Sequence, residues 1–466
     1  MTAGKEAPWA TAPPQDQLFV LITGANSGIG LSIGERLIDE FFATRSLTAH
    51  LTLLPTTRSE GKSRETIAHL RAYADKAARS DALRSRTGGE GDHAQRIHIL
   101  SVQVDLCDIR AIYNLAEDLC EETISNPKGT EGPDGELVNV SIPRLDAVIF
   151  NAGFGGWSGV NWPVLIWQFL TQGLMNSVTW PECKDAIPTL ALNNRKEYDY
   201  PAKPLLGEVF TACLFGHYLL AHRLLPLLSR PVGSDLHPGR IVWMSSIEAV
   251  GASFSLADFQ TFDPSSTPYE SVKRLTDILS LTCTLPSVKP ISTSYLTTEE
   301  EEEERTPPKM YLMHPGIVAS KFFPLASWLF GLYRFVMFFA QWWGSPWHTT
   351  DAYPGAAAAT YLVLAPQEKL DAEAAERIKW ASAVNAMGDS RIRDTEVDGW
   401  GFSGKVEPIG DEEEVEYAMR KRVGRHRDAK DVTSEQIVQF EELGKECWEQ
   451  MEELREEWEE ILELTD

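Results

Sequence analysis

The chain has 466 residues, 43% of them hydrophobic, enough to bury a large core as one big domain with insertions or as two or three smaller ones. Its net charge is −25, with much of the acidity in Glu299–Glu304 and toward the C-terminus. That balance excludes a binder of nucleic-acid backbone, which needs clustered Lys and Arg, so no nucleic-acid partner is expected.

Residues 1–16, rich in Pro and Ala and without a period, are expected to be disordered. The run Q-L-F-V-L-I-T-G-A-N-S-G-I-G (17–30) is apolar and then breaks into glycines, which predicts a strand buried on both faces. Ile29, Ile33, Leu37, Ile38 and Phe41 then recur at helical spacing. L-T-L-L-P-T-T (51–57) reads as a second strand, although Pro55 cannot donate to a ladder. A polar helix follows to about residue 85. R-I-H-I-L-S-V-Q-V-D (96–105) and R-L-D-A-V-I-F-N-A-G (144–153) read as strands, with a helix over 108–122 between them. A long apolar helix covers 205–228, strands cover 239–246 and 309–316, and a helix covers 268–284. Strand–helix alternation of this kind predicts a Rossmann-type α/β fold, a doubly wound parallel sheet with helices on both faces, over residues 17–410.

Four segments interrupt the rhythm. Residues 124–140 form a polar loop, 154–204 a Trp-rich irregular insertion, and 285–308 an acidic stretch expected to be disordered. Residues 411–466 read as a separate acidic helix. Its stripe of Ile437, Phe440, Cys447, Met451, Trp458 and Ile461 suits docking onto the body or a coiled-coil partner, and Thr433 with Gln436 offers a capping box. The six cysteines (Cys107, Cys120, Cys183, Cys213, Cys283, Cys447) include no C-x-x-C, which argues against zinc, so no metal is expected. No charged-then-apolar leader opens the chain, which suggests reduced thiols facing the cytosol.

The turn Thr23-Gly24-Ala25-Asn26-Ser27-Gly28-Ile29-Gly30 joins the first strand to the first helix. Glycines there allow a tight turn and close approach to a pyrophosphate, while the helix N-terminus offers N–H groups and partial positive charge. The second strand ends at Thr57-Arg58 with no carboxylate before Glu60. Arg58 suits a 2′-phosphate and favours NADPH; the alternative is a solvated surface arginine.

Two Tyr-x-x-x-Lys pairs occur, Tyr269–Lys273 and Tyr417–Lys421. Only the first follows a strand-end serine, in Ser245-Ser246, and a helix start, with Thr267 as N-cap, Pro268 at the first position and Glu270 closing a capping box. A neighbouring Lys⁺ stabilises a phenolate, and a serine hydroxyl can donate a second hydrogen bond to a carbonyl oxygen as charge grows there.

The glycine turn, the N-A-G strand end (151–153), the Ser-then-Tyr-x-x-x-Lys order and the late Pro315-Gly316 resemble the short-chain dehydrogenase/reductase family over residues 17–365. The resemblance implies Ser246, Tyr269 and Lys273 as catalytic. It implies Asp105, Asn151, Ala152 and Gly153 around the nucleotide, and the segment Pro315, Gly316, Val318, Ser320 against the nicotinamide. The segments 207–222, 245–249, 269–277 and 344–349, the insertion N-A-G-F-G-G-W-S-G-V-N-W-P (151–163) and the long Ser246-to-Tyr269 gap are similar to the fungal 3-keto-steroid reductases of ergosterol biosynthesis. That likeness implies NADPH-dependent reduction of a sterol C3 ketone, a sterol C-4 demethylation assembly as partner, and a place on the endoplasmic reticulum or lipid droplets. The alternatives are another hydrophobic ketone as substrate, or a scaffold without turnover. One position departs: Cys213 stands where the family carries an asparagine that holds a water for the lysine, and a thiol is a weaker donor and acceptor.

The most apolar window, L-A-S-W-L-F-G-L-Y-R-F-V-M-F-F-A-Q-W-W (325–343), is near the minimum for a bilayer span and carries Arg334 at its middle. It suits either a buried aromatic helix capping the substrate pocket or an interfacial helix in peripheral membrane contact.

Overall fold

The computed structural model describes residues 7–89, 91–130, 137–297, 305–320, 325, 328–406, 423–426 and 428–463. The first strand, β1 (Gln17–Ile22), is apolar throughout most of its length and pairs in parallel with β2 (His50–Thr57) on one side and β5 (Ala147–Phe150) on the other. β3 (Ile97–Ile99) and β4 (Val102–Gln103) both pair with β2. A small hairpin, β6 (Trp157–Val160) and β7 (Lys184–Ala186), lies off the main sheet. β8 (Arg240–Met244), β9 (Lys309–His314) and β12 (Lys379–Val384) extend the sheet in parallel, and β13 (Ser390–Thr395) closes it antiparallel. Two short strands, β10 (Ile317–Val318) and β11 (His348–Thr349), pair beside it. The order is β13-β12-β9-β8-β5-β1-β2-β3, so the chain reverses direction across the sheet between β1 and β5. In open α/β sheets, ligands bind at that switch point, outside the carboxyl ends of the strands.

Side chains alternate across each strand, so β1 feeds two cores. Val20 and Ile22 join Ile33, Leu37, Phe41 and Leu70 on one face. That face carries α1 (Gly28–Thr44), α2 (Glu60–Ala78) and α9 (Ala357–Leu364). Phe19 and Leu21 join Ile112, Leu219, Leu275 and Trp448 on the other. There α3 (Ile109–Glu121), α6 (Gly216–Arg223), α7 (Pro268–Thr282) and the C-terminal helix α10 (Ser434–Ile461) pack.

Several expectations are corrected. The predicted strand over 96–105 is two short strands, and Pro55 sits opposite the gap between them. There it needs no N–H on that side, and its carbonyl accepts from Ser101 Oγ at 3.0 Å. Of the N-terminal stretch, the described residues 7–16 pack on the body: Trp9 is buried, edge-on to Phe19 at 5.5 Å, because an indole gains more from the sheet edge than from water. Within 285–308, Lys289–Leu296 is helical with Tyr295 buried, while the glutamate run lies outside the described residues. The apolar run 205–228 is broken into Glu208–Phe210, a π-turn at Thr211–Phe215, α6 and Leu225–Leu228. The insertion 154–204 holds α4 (Trp162–Gln172) and α5 (Leu174–Thr179) besides its hairpin. The strands β12 and β13 have no counterpart among the predicted elements.

The acidic tail docks. α10 lies along α7, burying Phe440, Cys447, Met451 and Trp458 of the predicted stripe together with Trp448; only Ile461 of that stripe is exposed. The Thr433–Gln436 capping box is formed. Tyr417 and Lys421 lie outside the described residues.

Candidate active site

The carboxyl ends of β1, β5 and β8 meet at one cleft. At the first, Thr23 accepts from the backbone N–H of Asn151 (2.9 Å) and of Ala152 (3.0 Å), and its hydroxyl lies 2.9 Å from His217 Nε2. Asn151 Nδ2 donates to Thr23 O at 2.9 Å and Gly24 O at 3.3 Å. The N-A-G strand end thus clamps the glycine turn. A Cβ on Gly30 would sit 2.4 Å from Asn151 Nδ2, so only glycine allows this approach. Gly24 has φ +65°, the left-handed region that an L side chain strains to adopt. Ser27 and Gly28 are exposed at the start of α1, and nothing lies within 4 Å of Gly28's missing Cβ. Open space in front of a bare helix N-terminus fits a dinucleotide pyrophosphate. Asn26 Nδ2 reaches Ser27 Oγ at 3.5 Å, and Ile29 is half-buried behind them.

Arg58 is exposed immediately after β2, the strand next to β1. Asp105 follows β4; its carboxylate accepts from Cys107 N (3.0 Å) and from Tyr198 of the insertion (3.3 Å). At the other end of the cleft, Pro315-Gly316 leaves β9. Gly316 N donates to His314 Nδ1 at 3.1 Å, and β10 carries Val318 alongside β11. Ser320 is the last described residue before 321–324.

Ser246 follows β8, and Tyr269 and Lys273 share a face of α7. Ser246 and Tyr269 are hydrogen-bonded through their hydroxyls, and Lys273 Nζ lies 5.7 Å from the Tyr269 ring centroid. Lys273 Nζ donates to Met244 O at 2.6 Å. Burial pushes the Tyr269 phenol well above its usual range, reinforced by Cys213, Glu248 and Glu270 and opposed by the Ser246 hydrogen bond. Burial pulls the Lys273 ammonium down, against the pull of Cys213 and Asp277.

Cys213 sits in the π-turn, fully enclosed. Its thiol donates to Phe154 O at 3.3 Å and accepts from Phe154 N at 3.2 Å. Thiol and backbone satisfy each other, so Cys213 ties the end of N-A-G-F to the π-turn.

Three groups at the site escaped the sequence reading. Lys379 of β12 pairs with Asp277 of α7 at 2.6 Å, both fully buried, and donates to Ser246 O at 2.7 Å. Asp277 also accepts from Ser245 Oγ. This pair holds the backbone of the serine from behind. Asp277 stands eight residues after Tyr269 and four after Lys273, a spacing on one helix face that gives a usable signal. Lys379 has no such signal, because its strand lies over a hundred residues away in sequence. The third is Lys184, whose ammonium is 2.7 Å from Glu270 Oε1 and also paired with Glu248. The capping box expected at Thr267 is accordingly not formed. Thr267 is the N-cap, but its side chain makes no cap bond and Glu270 turns to Lys184, since a charged partner outcompetes a backbone N–H.

Within the window 325–343, Phe330–Trp342 forms α8, beyond β10. Only Met337, Ala340 and Gln341 of α8 are buried, whereas Trp328, Leu332, Phe335, Phe338, Trp342 and Trp343 are exposed, Trp328 by 80%. In α4, Trp162, Ile166, Trp167, Phe169 and Leu170 are exposed as well. Both helices pack on α5. Among the described residues, no helix is long and apolar enough to cross a membrane.

No family model matches the chain. It is 54% identical to the 3-keto-steroid reductase ERG27 of Gibberella zeae, over 98% of this chain and 97% of that protein. It is 38% identical to the 3-keto-steroid reductase erg27 of Aspergillus fumigatus, over 96% and 95%, and 27% identical to the 3-keto-steroid reductase of Kluyveromyces lactis, over 81% and 88%. Among solved structures, salutaridine reductase from Papaver somniferum is similar at TM-score 0.38 and 16% identity, over 75% of this chain and 96% of that one. With near end-to-end coverage at more than half identity, a glycine turn clamped by N-A-G and Ser246, Tyr269 and Lys273 gathered at one cleft, the chain belongs to the family of the fungal 3-keto-steroid reductases.

Proposed function

We propose that the protein is an NADPH-dependent oxidoreductase that reduces the C3 ketone of a sterol intermediate to the 3-hydroxyl during C-4 demethylation. The observation that carries this reading is the convergence of Ser246, Tyr269 and Lys273 at the carboxyl end of β8, in a chain 54% identical to a 3-keto-steroid reductase. Thr23, Gly24, Asn26, Ser27, Gly28, Ile29 and Gly30 would cradle the pyrophosphate of the cofactor. Asn151, Ala152, Gly153 and Asp105 would line the nucleotide, and Pro315, Gly316, Val318 and Ser320 the nicotinamide side. Arg58 after β2 supplies the positive charge that a 2′-phosphate would seek. The bound cofactor supplies hydride to the carbonyl carbon.

The side chains do the rest. The Ser246 hydroxyl donates to the ketone oxygen as negative charge develops there, and Tyr269 delivers the proton. Burial keeps that phenol protonated near neutral pH, the state a proton donor needs. Lys273, anchored on Met244 O, stabilises the phenolate left behind.

The proposed substrate is apolar and partitions into lipid. The exposed aromatic faces of α4 and α8, joined through α5, suit the surface of a lipid phase, with indoles at headgroup depth. With a net charge of −25, a zwitterionic surface is favoured over an anionic one. The endoplasmic reticulum or a lipid droplet, facing the cytosol, and a C-4 demethylation assembly fit this reading.

Incubation with NADPH and a 3-keto sterol should yield the 3-hydroxy product, and Tyr269→Phe should lower kcat by about a hundredfold or more, with NADPH binding retained. An inactive wild type, or an unaffected Tyr269→Phe, overturns the assignment. For the surface, Trp167→Ser combined with Phe335→Ser should abolish flotation with phosphatidylcholine vesicles and leave turnover of detergent-dissolved ketone unchanged. Undiminished flotation of the double variant removes the membrane part of the reading.

A further inference from the structure

A charged cluster lies against the ring of Tyr269, and the proton transfer from Tyr269 to the ketone makes no direct use of it. Lys184 starts β7, inside the insertion. Its ammonium is paired with Glu248, two residues beyond Ser246, and with Glu270, the residue after Tyr269. The three side chains are only 8%, 17% and 12% exposed. Lys184 Nζ also stands 3.9 Å over the Trp157 ring and 6.0 Å from the Tyr269 ring centroid. Trp157 in turn packs edge-on against Tyr269, with centroids 4.9 Å apart. One lysine therefore joins the hairpin of the insertion, the loop after β8 and the first turn of α7.

A merely structural surface pair would sit in water and contribute little. This one is largely desolvated, and it holds two carboxylates on one ammonium. Burial works against the Lys184 charge, but Glu248 and Glu270 outweigh it and raise its pKa. Glu270 Oε2 is buried and has no hydrogen-bond partner among the described residues, so the cluster faces inward rather than toward solvent.

We propose that Lys184 is a positioning residue for the catalytic tyrosine, clamping Trp157 and the β6–β7 hairpin onto the Tyr269 ring and balancing the two carboxylates that face it. The proposal rests on the reductase reading and deepens it. The insertion thereby completes the environment of the proton donor. Orientation is costly to lose, since a misplacement of about 1 Å in a reacting group can cost a hundredfold in rate.

Charge gives a second handle. The groups facing the cluster are Tyr269 and Glu270 from α7, Glu248 from the loop after β8, Cys183 and Asp185 from the hairpin, and Tyr333 from α8; Lys273 and Cys213 face Tyr269 from behind. Removing the Lys184 charge leaves two carboxylates facing the phenol. The phenolate becomes harder to form, and the alkaline limb of ketone reduction must move to higher pH.

The test compares wild type, Lys184→Met, Lys184→Arg and Tyr269→Phe with NADPH and a 3-keto sterol. Lys184→Met should lower kcat by about tenfold to a hundredfold, leave NADPH affinity unchanged, and shift the alkaline limb of the kcat/KM profile upward. Lys184→Arg should restore most of both. Amide hydrogen exchange should show β6 and β7 deprotected in Lys184→Met and protected again in Lys184→Arg. Wild-type kcat and an unmoved pH limb in Lys184→Met overturn the proposal while Tyr269→Phe stays inactive and the reductase reading stands. A wild type with no turnover overturns that reading and the catalytic role of Lys184 with it; unchanged exchange in Lys184→Met overturns the clamp regardless of turnover.

Discussion

At the scale of single residues, Cys213 is the position where the family resemblance leads one to expect an asparagine. An asparagine there would present an amide toward the lysine. The thiol is instead spent on Phe154, accepting from its N–H and donating to its carbonyl, and it lies 3.5 Å from where a Cβ of Gly153 would stand. The space is shaped for sulfur. Cys213→Asn adds two heavy atoms to a closed site, and overpacking of this kind costs about 1–3 kcal/mol. The variant should melt earlier and turn over no faster than wild type. A large gain of rate from near zero would instead show a protein that has lost turnover through this one position. The Asp277–Lys379 pair makes a complementary point, since a fully buried ion pair is tolerated where both partners also bond the serine segment.

At the scale of elements, α10 shows what a hydrophobic stripe is for. Spacing alone allowed docking or a coiled-coil partner. The structure lays the helix on α7, with the Trp448 indole N–H donating to Leu279 O at 3.1 Å and its ring against Tyr218 and Tyr295. Polar groups lock the far end: Tyr218 donates to Glu452 at 2.6 Å, Tyr113 to Glu459, and Arg455 bridges both carboxylates. If docking is the role, Trp448→Ala should destabilise the whole domain by about 3–5 kcal/mol in chemical denaturation. A stripe awaiting another chain would leave monomer stability unchanged. The π-turn at Thr211–Phe215 is an element of a different kind, a local widening that turns Cys213 toward Phe154 and would be lost from a regular helix.

At the scale of the whole molecule, burial of histidine links stability to pH. Burial lowers His98 and His217 to about 3, and His222 and His348 to about 4, from an ordinary value of 6.5. Their folded pKa values lie below the unfolded ones, so below pH 6.5 the unfolded chain takes up protons that the folded one does not. These histidines lower stability as pH drops from about 6.5 toward 4, each by up to about 1.4 kcal/mol per pH unit in that window. Buried carboxylates such as Asp277 and Glu459, whose burial raises their pKa values, take up protons in the folded state and oppose that fall; declining midpoints would show that the histidines prevail. Denaturation midpoints at pH 7.5, 5.5 and 4.5 should decline in that order, and His98→Asn should flatten the slope. A midpoint independent of pH over this range refutes the account.

Local chemistry made much of this legible in the sequence. Apolar runs ending in glycine, N-A-G and Ser-Ser marked the sheet strands around the switch point, because buried parallel strands are continuous hydrophobic runs. A strand-end serine upstream and Pro268 at the first helical position separated Tyr269–Lys273 from Tyr417–Lys421 in the sequence. The strands β12 and β13 were not legible, since K-W-A-S-A-V is short and S-R-I-R-D-T is polar; they become strands only by pairing with β9 and with each other. The Lys184–Glu248–Glu270 cluster was equally silent, spread over 86 positions of the chain with no spacing to relate its members, and with Glu270 by itself suggesting only a helix cap. The sequence by itself marked the central strands, the glycine turn and the Tyr269–Lys273 pair downstream of a strand-end serine, because an apolar run, a glycine cluster and an i,i+4 spacing are local features. Only the tertiary structure decided what surrounds the tyrosine, where Cys213 directs its thiol and which face α10 covers, because those depend on which distant side chains share a desolvated space.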